Sequence, residues 1–338
     1  MADNSTRLQG SRAWRSASLL AALSFSSACV LAQTGGEPGC VIGQPTVLPI
    51  TFAHGDQRPT VPATIAGHPA SALIDTASSV TMLYRPALEK LGIHVRSTET
   101  NYAGPQILIA NLPNITVGPV SAKGYFTVVE SEDDTGIRLG ANYLSRHDYE
   151  IWWAGKQIQF TSPKGCRKSF LASWDPRAHI VPFETDQQRR DLRPWFKVKI
   201  NGREVDTILA TTDSITVMDL HTAARFGINP ESPGAVEEDP IVGWRDKPQR
   251  VWRVPVADMT IGSYRVQNAA IRIMDLTLSG EMMSLGADFL RNHRVLVSMS
   301  QRRLYISHLG GPSFSTPVAE PEPREAQCGA RECITAPE

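Results

Sequence analysis

An excess of charge of either sign is what this sequence most plainly lacks. Over 338 residues, 34 lysines and arginines balance 34 aspartates and glutamates. A dedicated nucleic-acid binder would show a basic surplus, so that class is set aside. Long hydrophobic runs are equally scarce. The most apolar stretch, Leu19 to Ala32, is too short to cross a bilayer comfortably, and no other segment approaches that length. The five cysteines include no C-x-x-C pair, and the eight histidines form neither H-E-x-x-H nor an evident ligand cluster. The usual sequence grounds for a zinc site are therefore missing, and neither metal nor cofactor is expected. There is no G-x-S-x-G elbow, no G-x-x-x-x-G-K-[ST] loop and no strand-bound G-x-G-x-x-G, the marks of serine hydrolases, P-loop enzymes and dinucleotide enzymes. Glycine and proline are scattered without a G-X-Y period, which excludes collagen. What remains is an ordinary globular composition, 41% apolar and 20% charged, with length for about two domains.

The first 32 residues read as an export signal. Arg7, Arg12 and Arg15 make a basic start, Leu19 to Ala32 a short apolar centre, and Val30-Leu31-Ala32 a small-residue exit with cleavage before Gln33. A membrane anchor is the rival reading. A lipoprotein site at Cys29 is disfavoured, because Ser26 stands where that motif wants Leu. Removal of the leader leaves Cys40, Cys166, Cys328 and Cys333, an even count that suits disulfides in a periplasmic or extracellular protein. Cys328 and Cys333 are near enough in sequence to close a small loop, and Cys40 would then pair with Cys166. No stable membrane insertion is expected after cleavage.

Self-comparison uncovers a repeat. RPTVPATIAGHPASALIDTASSVTMLYRPALEKLGI from Arg58 lies without a gap over RPWFKVKINGREVDTILATTDSITVMDLHTAARFGI from Arg193. Nine of 36 positions are identical. ITVGPVSAKGYFTVV around Gly118 then meets MTIGSYRVQNAAIRIM around Gly262. LGANYLSRHDYEIWWAGKQIQF from Leu139 meets LGADFLRNHRVLVSMSQRRLYI from Leu285. Within each copy, alternating apolar positions and β-branched residues predict a strand, a glycine turn, a second strand, a loop, a third strand and a short helix. Two β-rich lobes are expected, at 33–160 and 192–309, joined by a linker at 161–191 and followed by a Pro-rich tail at 310–338. Trp152, Trp153, Trp244 and Trp252 could line a groove, though half-buried strand positions explain such aromatics more often.

The chemistry concentrates at Asp75. Leu73-Ile74-Asp75-Thr76-Ala77-Ser78 places a carboxylate after a buried strand, at the start of a tight turn. That motif, followed some 60 residues later by Leu139-Gly140, resembles the retropepsin-like aspartic peptidases. Its duplication resembles a two-lobed, pepsin-like arrangement. The likeness spans about 45–160 and 180–307. It implies an all-β fold of two barrel lobes around a cleft, and an exported endopeptidase acting on peptides or proteins. In that family two aspartates share one proton. One takes a proton from water while the other protonates the peptide carbonyl. The resemblance implies that Asp75 is one such acid, that Thr76 hydrogen-bonds across the lobe junction, and that Ser78 orients the Asp75 carboxylate. It also implies that Leu139-Gly140 and Leu285-Gly286 pass close beside the acid loops.

The second copy departs at the decisive position. Ala210 falls on Asp75, within Leu209-Ala210-Thr211-Thr212-Asp213-Ser214. Thr211 is kept for the junction. Asp213 falls on Ser78 and can supply the second carboxylate from a shifted backbone position. Two readings stay open. One is a peptidase with Asp75 and Asp213 as its acids. The other is a peptide-binding protein that has lost hydrolysis. A monomer is expected, since the tether makes the second lobe win over pairing of first lobes in a homodimer.

Overall fold

The computed structural model describes residues 39–53, 58–98, 107–130, 135–242, 248–276, 278 and 280–315. The segment expected as a leader, Trp244, the residues beyond 315 with Cys328 and Cys333, and residues 99–106 lie outside them. Strands make up 52% of the described residues and helices 8%, so the expected all-β class holds.

In the first half the elements run β1 (Thr46–Pro49), β2 (Thr51–Ala53), β3 (Arg58–Ile65), β4 (His68–Ile74), β5 (Met82–Tyr84), α1 (Arg85–Lys90), β6 (Arg96–Thr98), β7 (Ile107–Val117), β8 (Val120–Val129), β9 (Ile137–Leu139), α2 (Ala141–Leu144), β10 (Asp148–Trp152) and β11 (Gln157–Thr161). In the second half they run β12 (His179–Asp186), β13 (Asp191–Ile200), β14 (Arg203–Leu209), β15 (Val217–Asp219), α3 (Leu220–Arg225), β16 (Val236–Val242), β17 (Pro248–Pro255), β18 (Met259–Ile261), β19 (Tyr264–Arg265), β20 (Ala270–Met274), β21 (Met282–Leu285), α4 (Ala287–Leu290), β22 (His293–Ser298) and β23 (Arg303–His308).

Each half repeats one device. The hairpins β3–β4 and β13–β14 turn on Ala66-Gly67 and Asn201-Gly202, with φ of 50° and 84°, and 50° and 78°. Two successive positive φ values suit a two-residue hairpin whose twist matches its strands, and glycine at the second position meets that need without strain. Next, β9 runs parallel to β4 and antiparallel to β5, while β5 runs parallel to β8. In the second half β21 runs parallel to β14 and antiparallel to β15, and β15 runs parallel to β20. A late strand thus slots between two early ones. That wedge fixes where the loops after β4 and β14 emerge. The inward faces are aliphatic and dry, with Ile65, Leu83, Ile137 and Leu139 fully buried in the first lobe and Ile200, Ile271 and Leu285 in the second.

The halves share a base. Strands β1, β11 and β10 from the first join β22, β23 and β12 from the second in one antiparallel series. The seam is β10–β22, pairing Tyr149 with Val297 and Ile151 with Val295. The stretch expected as a linker, 161–191, is therefore only partly a connection. Its second part forms β12, which hydrogen-bonds to β23 and leads into β13. A disulfide joins Cys40 to Cys166, tying the approach to β1 to the loop after β11. Among the described residues, Trp152, Trp153 and Trp252 do not line a shared groove. Trp153 and Trp252 are buried, and Trp152 packs under the Arg294 guanidinium at 4.6 Å.

Candidate active site

Asp75 directly follows β4. The parallel β4–β9 pairing ends with its backbone N–H donating to Leu139 O at 3.1 Å. The chain then turns sharply, and the amides of Ala77 and Ser78 donate back to Asp75 Oδ1 at 3.0 and 3.1 Å. Such a self-capped turn is a common use of Asp. The hydroxyl of Thr212, from the other lobe, donates to the same oxygen at 3.3 Å. Arg138 on β9 grips the opposite oxygen, with Nε and Nη2 both 2.5 Å from Oδ2. Asp75 is fully buried within this shell of donors.

The loop after β14 is built alike. Ala210 N donates to Leu285 O, and Asp213 N donates to Ala210 O, as Ser78 N does to Asp75 O. Ala210 is buried and brings no polar group to this end of its strand. Asp213 is half-buried and accepts a hydrogen bond from Ser284 Oγ at 2.5 Å. Burial is the main cause that pushes its carboxyl up to about 6. The Ser284 hydrogen bond opposes this, the negative charge of Asp75 adds to it, Arg138 opposes, and Asp288 adds again. Carboxyl groups from the two lobes therefore lie within electrostatic reach of each other.

The two loops are latched by their threonines. Thr76 Oγ1 donates to Leu209 O at 2.8 Å, and Thr211 Oγ1 donates to Ile74 O at 2.5 Å. Each hydroxyl also accepts the other residue's backbone N–H at 3.2 Å. All these groups are buried, so every bond replaces one that water could otherwise make. Arg193, ion-paired to Asp191 at 2.7 Å, adds a second link through Ala77 O at 3.1 Å.

Gly140 and Gly286 sit against the loops. A Cβ on Gly140 would strike the Val80 carbonyl, and one on Gly286 the Ile215 carbonyl, well inside contact distance. Both glycines have φ near −90°, open to any residue, so space is the requirement and not unusual backbone angles. Their amides donate to Thr81 Oγ1 and Thr216 Oγ1 at 2.9 and 3.0 Å.

Of the residues singled out in sequence, Asp75, Thr76, Thr211 and Asp213 converge here. Ser78 behaves otherwise. Its hydroxyl donates to Val80 O at 2.8 Å, because the tight turn aims the backbone amide at Asp75 and swings the side chain away. The carboxylate is oriented instead by Arg138, which sequence reasoning passed over together with Ser284 and Thr212. A signal existed. Arg138 and Ser284 each stand immediately before the Leu-Gly of their copy, opposite Leu73 and Ile208 on the strand that leads to the acid loop. A charged or hydroxyl side chain in that apolar setting marks a polar partner nearby. Among the described residues no cluster of three His, Cys, Asp or Glu side chains is set to hold a metal ion.

The aspartyl protease family profile matches residues 61–143 and again 196–289, together just over half of the chain. The chain belongs to that family. Each match opens inside β3 or β13 and closes within α2 or α4, so each covers one acid loop with the wedge strand that positions it. In this aspartyl protease homologue the second match contains Ala210 where the first contains Asp75. A comparison with curated proteins finds no match.

Proposed function

We propose that this protein is an exported aspartic-type endopeptidase whose two acids are Asp75 and Asp213. The observation that carries the reading is the latching of the two acid loops, which brings Asp75 and Asp213 together, with the Asp213 carboxyl pushed up to about 6 first by burial and in part by the charge of Asp75. A carboxyl group that holds its proton within electrostatic reach of a second carboxyl group is what acid–base hydrolysis needs. In the forward step Asp75 takes a proton from water as the water oxygen bonds to the peptide carbon. Asp213 gives its proton to the carbonyl oxygen. Collapse of the resulting diol breaks the C–N bond. The nitrogen receives the proton from Asp75, and a diol hydroxyl returns one to Asp213. No covalent intermediate forms. Export is supported by the basic–apolar–small N-terminus and by the Cys40–Cys166 disulfide, which suits an oxidising compartment.

The second reading, a peptide-binding protein without hydrolysis, is favoured by one observation: Asp75 is already held by the guanidinium of Arg138. The experiment that decides is digestion of an unstructured protein substrate from pH 3 to 7, with Asp75→Asn as control. Cleavage by the wild type that rises below pH 6 and is abolished in the control supports the peptidase. Saturable peptide binding with no cleavage at any pH replaces it with the binding protein.

A further inference from the structure

The two carboxyl groups differ in their donors, and the difference assigns the proton. Asp75 receives five: the amides of Ala77 and Ser78, the Thr212 hydroxyl, and two nitrogens of Arg138. Four of these are N–H groups that cannot accept, so an O–H on Asp75 could be taken up only by the Thr212 hydroxyl, on an oxygen already engaged by two amides. Among the described residues Asp213 receives one, from the Ser284 hydroxyl, which can equally accept a hydrogen bond from a neutral acid. We infer that Arg138 is a positioning residue that fixes the division of labour in the pair, holding Asp75 as the ionised base so that Asp213 alone carries the transferable proton. The inference rests on the peptidase reading for its catalytic meaning. The ordinary device of the fold is a proton shared by two equivalent acids. Here a cation gripping one of them does the sorting in advance. Arg138 and Ser284 occupy matching places on β9 and β21, so one scaffold position is used twice, charged in one lobe and neutral in the other.

Among the described residues few charged and titratable groups act on the pair. Arg138 faces Asp75, Tyr84 and Asp213, while Asp213 faces Asp75, Arg138 and Asp288. Removing the guanidinium should therefore strip a positive charge that acts on Asp213 and make it hold its proton to higher pH.

The test is a carbon-13 carboxyl NMR titration of the full chain, run beside the pH profile of peptide cleavage. A carboxyl titrating near pH 6 should vanish in Asp213→Asn. In Arg138→Gln it should move up by about one pH unit, and Arg138→Lys should return most of the way. The high-pH limb of cleavage should move with it. An unchanged midpoint in folded Arg138→Gln overturns the inference. Should that variant not fold, Asp75→Asn decides: it removes a negative charge and frees the guanidinium, so the Asp213 midpoint must fall, and a constant or raised midpoint overturns the inference. A wild type that cleaves nothing would end the peptidase reading, while the titration would still decide the role of Arg138.

Discussion

Asp75 and Ala210 close equivalent strands, yet only one carries a carboxyl group, and the missing charge returns three residues later at Asp213. The sequence alignment already contained that exchange. It showed Arg138 only as a charged residue before Leu139-Gly140; that it meets Asp75 follows from the register that sets β9 beside β4, which no local pattern fixes. Nor could the alignment contain the behaviour of Ser78, whose hydroxyl is turned aside by a single sharp bend. The threonine latch is the most exacting feature at this scale. Thr211→Val keeps the shape but leaves Ile74 O and the Thr76 amide without their partner, so about 2 kcal/mol of stability should be lost in chemical denaturation. A loss under a few tenths would contradict the latch. Gly140→Ala should cost about 3 kcal/mol or prevent folding, because the added carbon meets the Val80 backbone, which cannot swing away as a side chain could. A melting temperature unchanged within a degree would count against that packing.

Among the elements, the paired hairpins and wedge strands were legible as apolar alternation with glycine turns, and the repeat made each half a check on the other. The segment 161–191 was not. β12 is partly polar, with His179, Glu184 and Asp186 among its residues. Its place is set by pairing with β23, more than a hundred residues onward. Strands held by such distant partners carry little local signal. The disulfide beside this base closes a loop of 126 residues in sequence separation. Replacing Cys40 and Cys166 together by alanine should lower stability by about 2–5 kcal/mol, most of it through a less restricted unfolded chain. Denaturation of the oxidised wild type against the double variant measures this. Equal midpoints would show that the bond restrains nothing the fold does not already hold.

For the whole molecule, the shared base and the threonine latch hold two halves in one arrangement, and the acid pair is the product of both. The pair also couples folding to pH. Asp213 is raised from 3.8 to about 6 in the folded protein, so between those values the native state binds a proton that the unfolded chain has released. The stabilisation is fully present below about pH 4 and is lost as pH rises through 6. Glu150 and Asp288, also raised by burial, act in the same direction, and Asp191, which is lowered, opposes them. The difference in melting temperature between wild type and Asp213→Asn isolates the one group. It should shift against the wild type from pH 4 to 7, and a difference independent of pH would contradict the assignment. The most direct measurement of the central claim is kcat/KM for Asp213→Asn on a peptide cleaved by the wild type near pH 5. A fall of about 10²–10⁴-fold in a folded protein, matched by Asp75→Asn and little deepened in the double variant, is the expected result. Full activity in Asp213→Asn with none in Asp75→Asn would contradict it, and would assign the second carboxylate to the first lobe of another chain.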